Sequence, residues 1–111
     1  MRFEERKIGD VLIAKVVESR IAADVAVRFK ADLIDYVTKG HRTFVLDLSE
    51  VTFIDSSGLG ALIASLKVIG DGGELALCGA REAVANMFKL TRMNKVFRMF
   101  NTPEDAAAAL F

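Results

Sequence analysis

The chain has 111 residues, 52% hydrophobic and 27% charged, with formal net charge zero; that length suits one domain with a modest buried core, so 1–111 is read as a single domain. The balanced charge offers no electrostatic ground for binding nucleic acid, an acidic ligand or a membrane surface. No apolar run approaches the roughly 18 to 20 residues that a membrane-spanning helix needs.

Phe3 to Lys7 alternates weakly and reads as an edge strand, and Arg2-Phe3-Glu4-Glu5-Arg6-Lys7 lacks the apolar middle of a secretory signal, so the cytoplasm is the expected location. Gly9-Asp10 marks a tight turn into a richer strand, Val11 to Val17, which makes an antiparallel hairpin. After the polar loop Glu18-Ser19-Arg20, Asp24 is an N-cap candidate for a helix with Ala26, Phe29, Leu33 and Val37 on one face and Gly40 as its stop. Thr43 to Leu48 is apolar on both faces, as in a covered central strand. A loop through Val51-Thr52-Phe53-Ile54 leads to a second helix with Leu59, Leu62, Ile63, Leu66 and Ile69 at helical spacing and Gly70 at its end.

Asp71-Gly72-Gly73 is a turn, and Glu74 to Cys78 a short strand. Cys78, the single cysteine, cannot close an internal disulfide, in keeping with a reducing compartment, and reads as a small buried hydrophobe. A third helix over Arg81 to Leu90 turns Val84, Met87 and Phe88 inward; Lys95 to Phe100 is a last edge strand. Thr102-Pro103-Glu104-Asp105 opens a final helix: Thr as N-cap, Pro at the first helical position, acids in the first turn. Strands alternating with about four helices after an initial hairpin give the α/β class, with a single mixed sheet, mostly parallel, and an antiparallel edge.

Catalytic constellations are scarce. His41, the one histidine, reads as a solvated loop residue, and the serines lack the preceding glycine of a nucleophile elbow. There is no Gly-Lys-Ser/Thr phosphate loop, and Ile63 stands where a dinucleotide fingerprint needs its third glycine. No Cys/His pairs stand at zinc spacing, and nothing asks for a cofactor. A phospho-aspartate receiver needs an acidic cluster at strand ends, where the first full strand has only Glu18. Met87, Phe88, Met93, Phe97, Met99 and Phe100 interleave with Lys89, Arg92, Lys95 and Arg98; core packing beneath a solvated basic rim is favoured over a membrane or nucleic-acid patch.

Asp55-Ser56-Ser57-Gly58-Leu59-Gly60 is the most informative segment, because it puts two hydroxyls and two glycines at a strand-to-helix junction. A helix N-terminus offers free N–H groups and partial positive charge, and so tolerates an anion. Ser56 there reads either as a plain N-cap or as an exposed group able to carry a phosphate. Gly58 and Gly60 remove side chains, letting a foreign backbone approach; Leu59 is a candidate apolar contact; Asp55 is suited to bond backbone N–H groups of the loop. Ser57 reads as a first-turn residue packed beneath the loop.

The run Val45-Leu46-Asp47-Leu48-Ser49-x-Val51-x-Phe53-Ile54-Asp55-Ser56-Ser57-Gly58-Leu59-Gly60 resembles the signature of STAS domains, specifically the bacterial anti-sigma factor antagonists. Gly72-Gly73-Glu74-Leu75 and Leu90-Thr91-x-Met93 before Val96-Phe97 extend the resemblance over nearly the whole chain. The resemblance implies a non-enzymatic protein that binds an anti-sigma factor, itself a serine kinase of GHKL type. It implies phosphorylation by that kinase at Ser56, the serine after the aspartate, and reversal by a PP2C-type phosphatase. The alternative within the same fold is an adaptor subunit of a larger signalling or transport assembly. One departure stands out: members often carry Gly-x-Leu/Ile-Asp after the second strand, where this chain has Ser19-Arg20-Ile21-Ala22 and its nearest acid at Asp24. Arg20, Ala22 and Asp24 are therefore expected to flank the partner surface, with Arg20 able to pair with a phosphorylated Ser56.

Overall fold

A computed structural model describes residues 3–70 and 72–110, with the side chains of 23–26 and 29 outside that description. The chain runs β1 (Phe3–Ile8), β2 (Val11–Val16), β3 (Arg20–Ile21), α1 (Ala23–Thr38), β4 (Thr43–Asp47), β5 (Phe53–Ile54), α2 (Ser56–Ile69), β6 (Glu74–Cys78), α3 (Glu82–Leu90), a 3-10 turn (Met93–Lys95), β7 (Arg98–Phe100) and α4 (Pro103–Leu110). The main sheet has the order β1-β2-β4-β6-β7; β1 is antiparallel to β2 and every other pair is parallel. A second sheet holds only β3 and β5, in parallel, with Arg20 opposite Phe53 and Ile21 opposite Ile54.

Side-chain alternation in the central strands splits the core into two layers. Leu12, Ala14 and Val16 of β2, Phe44 and Leu46 of β4, and Leu75 and Leu77 of β6 face one way, packing with Leu33, Leu62, Val84 and Phe88 of α1, α2 and α3. Val11, Ile13, Val45, Ala76 and Cys78 face the other way, against Ala106 and Ala107 of α4. The helix side of that second layer is alanine, Ala106 and Ala107, which lets α4 lie close to the sheet. Cys78 is small because it sits beneath α4, and burial foremost, with Asp47 nearby, pushes its thiol up to about 12.

Several boundaries depart from the sequence reading. Asp24 is not the N-cap of α1: the helix starts at Ala23, the cap is Ala22, and Asp24 is its second residue. Ile21 is held in the ladder with Ile54 and fully buried, so the chain turns into the helix at once. The polar loop at 18–20 and the segment through 53–54 both contribute strands, too short for alternation to register. Lys95, Val96 and Phe97 are not strand, because the Met93 carbonyl accepts from the Val96 and Phe97 N–H groups; Phe97 is buried edge-on to Phe88 at 6.0 Å. Val17, Leu48 and Arg81 each lie one residue outside their expected elements. His41 is half-buried rather than solvated, its ring edge-on to Tyr36 at 6.1 Å and to Phe44 at 6.3 Å.

Other expectations agree with the structure. Gly40 follows the α1 cap with φ +97°, a left-handed turn that suits glycine, and the N–H of His41 bonds back to the Tyr36 carbonyl. Thr102 caps α4, its Oγ1 accepting from the Asp105 N–H at 3.1 Å. Leu33 and Val37 face the core from α1, while the Ala26 and Phe29 side chains lie outside the described residues. The Asp71-Gly72-Gly73 turn falls partly outside them too.

Candidate functional site at the start of helix α2

Residues 52–60 are positioned by three attachments. The Ser19 carbonyl accepts from the Thr52 N–H at 2.7 Å, from the Thr52 hydroxyl at 3.0 Å and from the Phe53 N–H at 3.2 Å. The β3–β5 ladder continues this into the Asp55 N–H, which donates to the Ile21 carbonyl at 3.2 Å. Asp55 then serves as N-cap of α2: its backbone is extended (φ −96°, ψ −178°) and Oδ1 accepts from the Gly58 N–H at 2.8 Å. The loop-fixing role expected of Asp55 thus has a definite form.

With Asp55 as the cap, Ser56 is the first residue of the helix and not the cap itself. It is exposed, and its hydroxyl is left out of the capping bond. Ser57 is exposed as well, which corrects the expectation that it packs beneath the loop. The two glycines divide the work expected of both. Gly60 faces open space, with nothing within 4 Å of where a Cβ would stand. Gly58 is buried, and a Cβ there would lie 2.2 Å from the Ile21 carbonyl oxygen. Its missing side chain lets α2 press on β3, so it serves this chain's own packing rather than a visitor's backbone. Leu59 is 8% exposed and lies in the main core, so the apolar contact expected of it is internal.

The surface around Ser56 instead carries an aromatic ring that sequence reasoning passed over. Phe53 is 48% exposed on β5, directly opposite the exposed Arg20 on β3. Its place in a segment read as a loop, two residues before Asp55, was the one signal in the sequence for it. Arg20 therefore does lie alongside the segment leading to Ser56. Ala22 is 3% exposed, and as N-cap of α1 makes no side-chain bond; Asp24 stands in the first turn of that helix. Two helix N-termini thus follow directly from one short ladder, and Arg20, Phe53, Ser56, Ser57 and Gly60 are the exposed residues of these segments. Helix starts gather partial positive charge; the Asp55 carboxylate at the cap answers part of it for α2, and the first turn after the cap adds no further acid.

Comparison with known proteins agrees with this architecture. The model of the STAS domain matches residues 2–106. BtrV of Bordetella bronchiseptica, named provisionally as an anti-sigma factor antagonist, is 33% identical over 110 residues, covering 98% of this chain and 94% of its own. The anti-sigma-B factor antagonist of Listeria monocytogenes is 29% identical over 86 residues, 77% of this chain and 75% of its own. A Thermotoga maritima crystal structure with the same provisional description as BtrV superposes with a TM-score of 0.87 at 29% identity, covering 97% of this chain and 93% of that one. Family model, relatives and fold point the same way: the chain belongs to the STAS domain family.

Proposed function

We propose that this protein is an anti-sigma factor antagonist that works by partner switching. In its unmodified form it binds an anti-sigma factor that is also a GHKL-type serine kinase, in the cytoplasm; phosphorylation at Ser56 releases it, and a PP2C-type phosphatase restores it. The protein itself contributes a surface, not a catalyst. The observation that carries this role is the exposed Ser56 at the first position of α2, freed from capping by Asp55. The names of its relatives agree with it.

The physical logic follows from where the hydroxyl stands. A phosphate there adds nearly two negative charges at a helix N-terminus, whose dipole favours them, so the free fold survives. Arg20, across the ladder from Phe53, is a partner for that charge. Across a protein interface the same group must be desolvated and meets a surface shaped for a hydroxyl. A penalty of about 3–4 kcal/mol weakens binding by a few hundredfold, which is enough for a switch. Asp55, Ser57 and Gly60 form the contact surface with Phe53 and Arg20, while Gly58, Leu59 and Ala22 shape it from within.

Incubation with the cognate kinase and ATP, followed by phosphate mapping by mass spectrometry, is expected to place one mark on Ser56. Ser56→Ala should bind the kinase and resist modification; Ser56→Asp should lose affinity by about a hundredfold or more in calorimetry. Modification elsewhere, or undiminished binding by Ser56→Asp, overturns the switch.

A further inference from the structure

At the opposite edge of the sheet from the hairpin lies a cleft of about 640 Å³ between α3, the 3-10 turn and β7. None of the residues at the start of α2 lines it. Three of its lining residues are cations, Lys89, Lys95 and Arg98, and none is acidic. In a chain of zero net charge this is a local concentration of one sign. Among the described residues, Lys89 and Lys95 make no ion pair, and Arg98 reaches only Glu74, at 3.8 Å, while its guanidinium lies 5.6 Å from the Phe100 ring. Among the lining residues Val96 is a large apolar side chain in water, at 50% exposure.

The backbone adds a third element. β7 pairs only with β6, and the Phe100 carbonyl accepts from the Gly79 N–H, so Phe100 turns its peptide groups toward β6. Strand alternation then turns those of Met99 outward, along the cleft that Met99 lines. An unpaired strand edge is a template for another strand. The opposite edge, β1, is defended by Glu4, Glu5, Arg6 and Lys7; β7 is not defended by alternating charge signs.

We propose that the β7 edge is a docking site for an extended acidic segment of a partner protein, which adds as a strand beside Met99 and sets its carboxylates against Lys89, Lys95 and Arg98. The charge of the cleft selects an acidic occupant. The exposed Val96 in the lining calls for an apolar side chain among the acids, which a small anion does not supply. The outward Met99 groups call for a backbone, which neither a lipid surface nor a nucleic acid presents in strand geometry.

The probe is an N-acetylated heptapeptide alternating glutamate and valine, titrated into the full chain and followed by amide NMR shifts. Saturable shifts confined to residues 89–101, with a dissociation constant below about 1 mM, are expected. Lys89→Glu/Lys95→Glu/Arg98→Glu, all exposed positions, should weaken binding about tenfold or more, and added salt should weaken it in wild type. Met99→Pro removes the outward N–H; should that variant not fold, the same peptide N-methylated at alternate residues removes the ladder from the other side, and binding must then be lost with wild-type protein. Ser56→Asp should leave binding unchanged, which separates this site from the proposed switch. Equal binding of the lysine–valine peptide, equal binding of the N-methylated peptide, shifts outside the cleft, or tighter binding of oligothymidylate or phosphatidylglycerol vesicles overturns the proposal.

Discussion

Helices α1 and α2 start side by side from the β3–β5 ladder, yet they are secured in opposite ways. α2 has a side-chain cap, Asp55 to Gly58, and a glycine that lets it press against the Ile21 carbonyl. α1 has Ala22 at its cap, with extended backbone (φ −129°, ψ −175°) and no side-chain bond. The difference shows where rigidity is concentrated. Two independent constraints converge on the turn that presents Ser56, while the neighbouring start relies on burial of Ile21 and Ala22. A loop that must present one hydroxyl to another protein gains from being preorganised, since ordering it on binding would cost affinity.

The largest expected effect breaks the α2 side of that contrast. Gly58→Ala drives a methyl into the Ile21 carbonyl and should destabilise the fold by about 2–4 kcal/mol in denaturant unfolding; an unchanged midpoint would mean α2 does not depend on that close approach. Asp55→Ala removes the cap and should cost about 1 kcal/mol, with faster amide exchange at Gly58. Ala22→Ser sharpens the contrast from the other side. The α1 cap already has extended backbone, so a hydroxyl there should gain about 0.5–1 kcal/mol; no gain would show that the buried pocket around Ala22 rejects the added oxygen. Ser56→Asp should be the mildest, stabilising by a few tenths of a kcal/mol through the helix dipole, with its large consequence confined to partner binding.

A pH measurement tests the second core layer separately. The unfolded Cys78 thiol ionises near 9.0 and the folded one near 12, so between these the unfolded chain gives up its proton first. The contribution is complete below pH 9.0 and declines as pH rises toward 12. In Cys78→Ala this part of the alkaline loss of stability should disappear, and wild-type Cys78 should react with thiol reagents only as fast as the protein opens.

Much of the architecture was legible along the chain. The hairpin at Gly9-Asp10, the two-faced strand at Phe44-Val45-Leu46 and the Thr102 cap are local patterns whose cause lies within a few residues. The strand-to-helix junction at Asp55-Ser56-Ser57-Gly58 was legible for the same reason, although the cap proved to be Asp55, bonded to the Gly58 N–H, and not Ser56. Arg20 was placed near Ser56 by resemblance, and the ladder does bring its strand alongside.

What the sequence by itself determined is therefore the course of the main sheet and its helices, because apolar periodicity and turn chemistry are short-range properties, and, through the motif at 45–60, the resemblance to the STAS family. Tertiary structure alone decided which side chains of the site face water. Gly58 turns inward against the Ile21 carbonyl, 37 residues earlier in the chain, and Leu59 joins the same core, while Ser57 and Phe53 are left exposed. A two-residue ladder is too short to leave a pattern in the sequence, since each of its strands is stabilised only when the other is present.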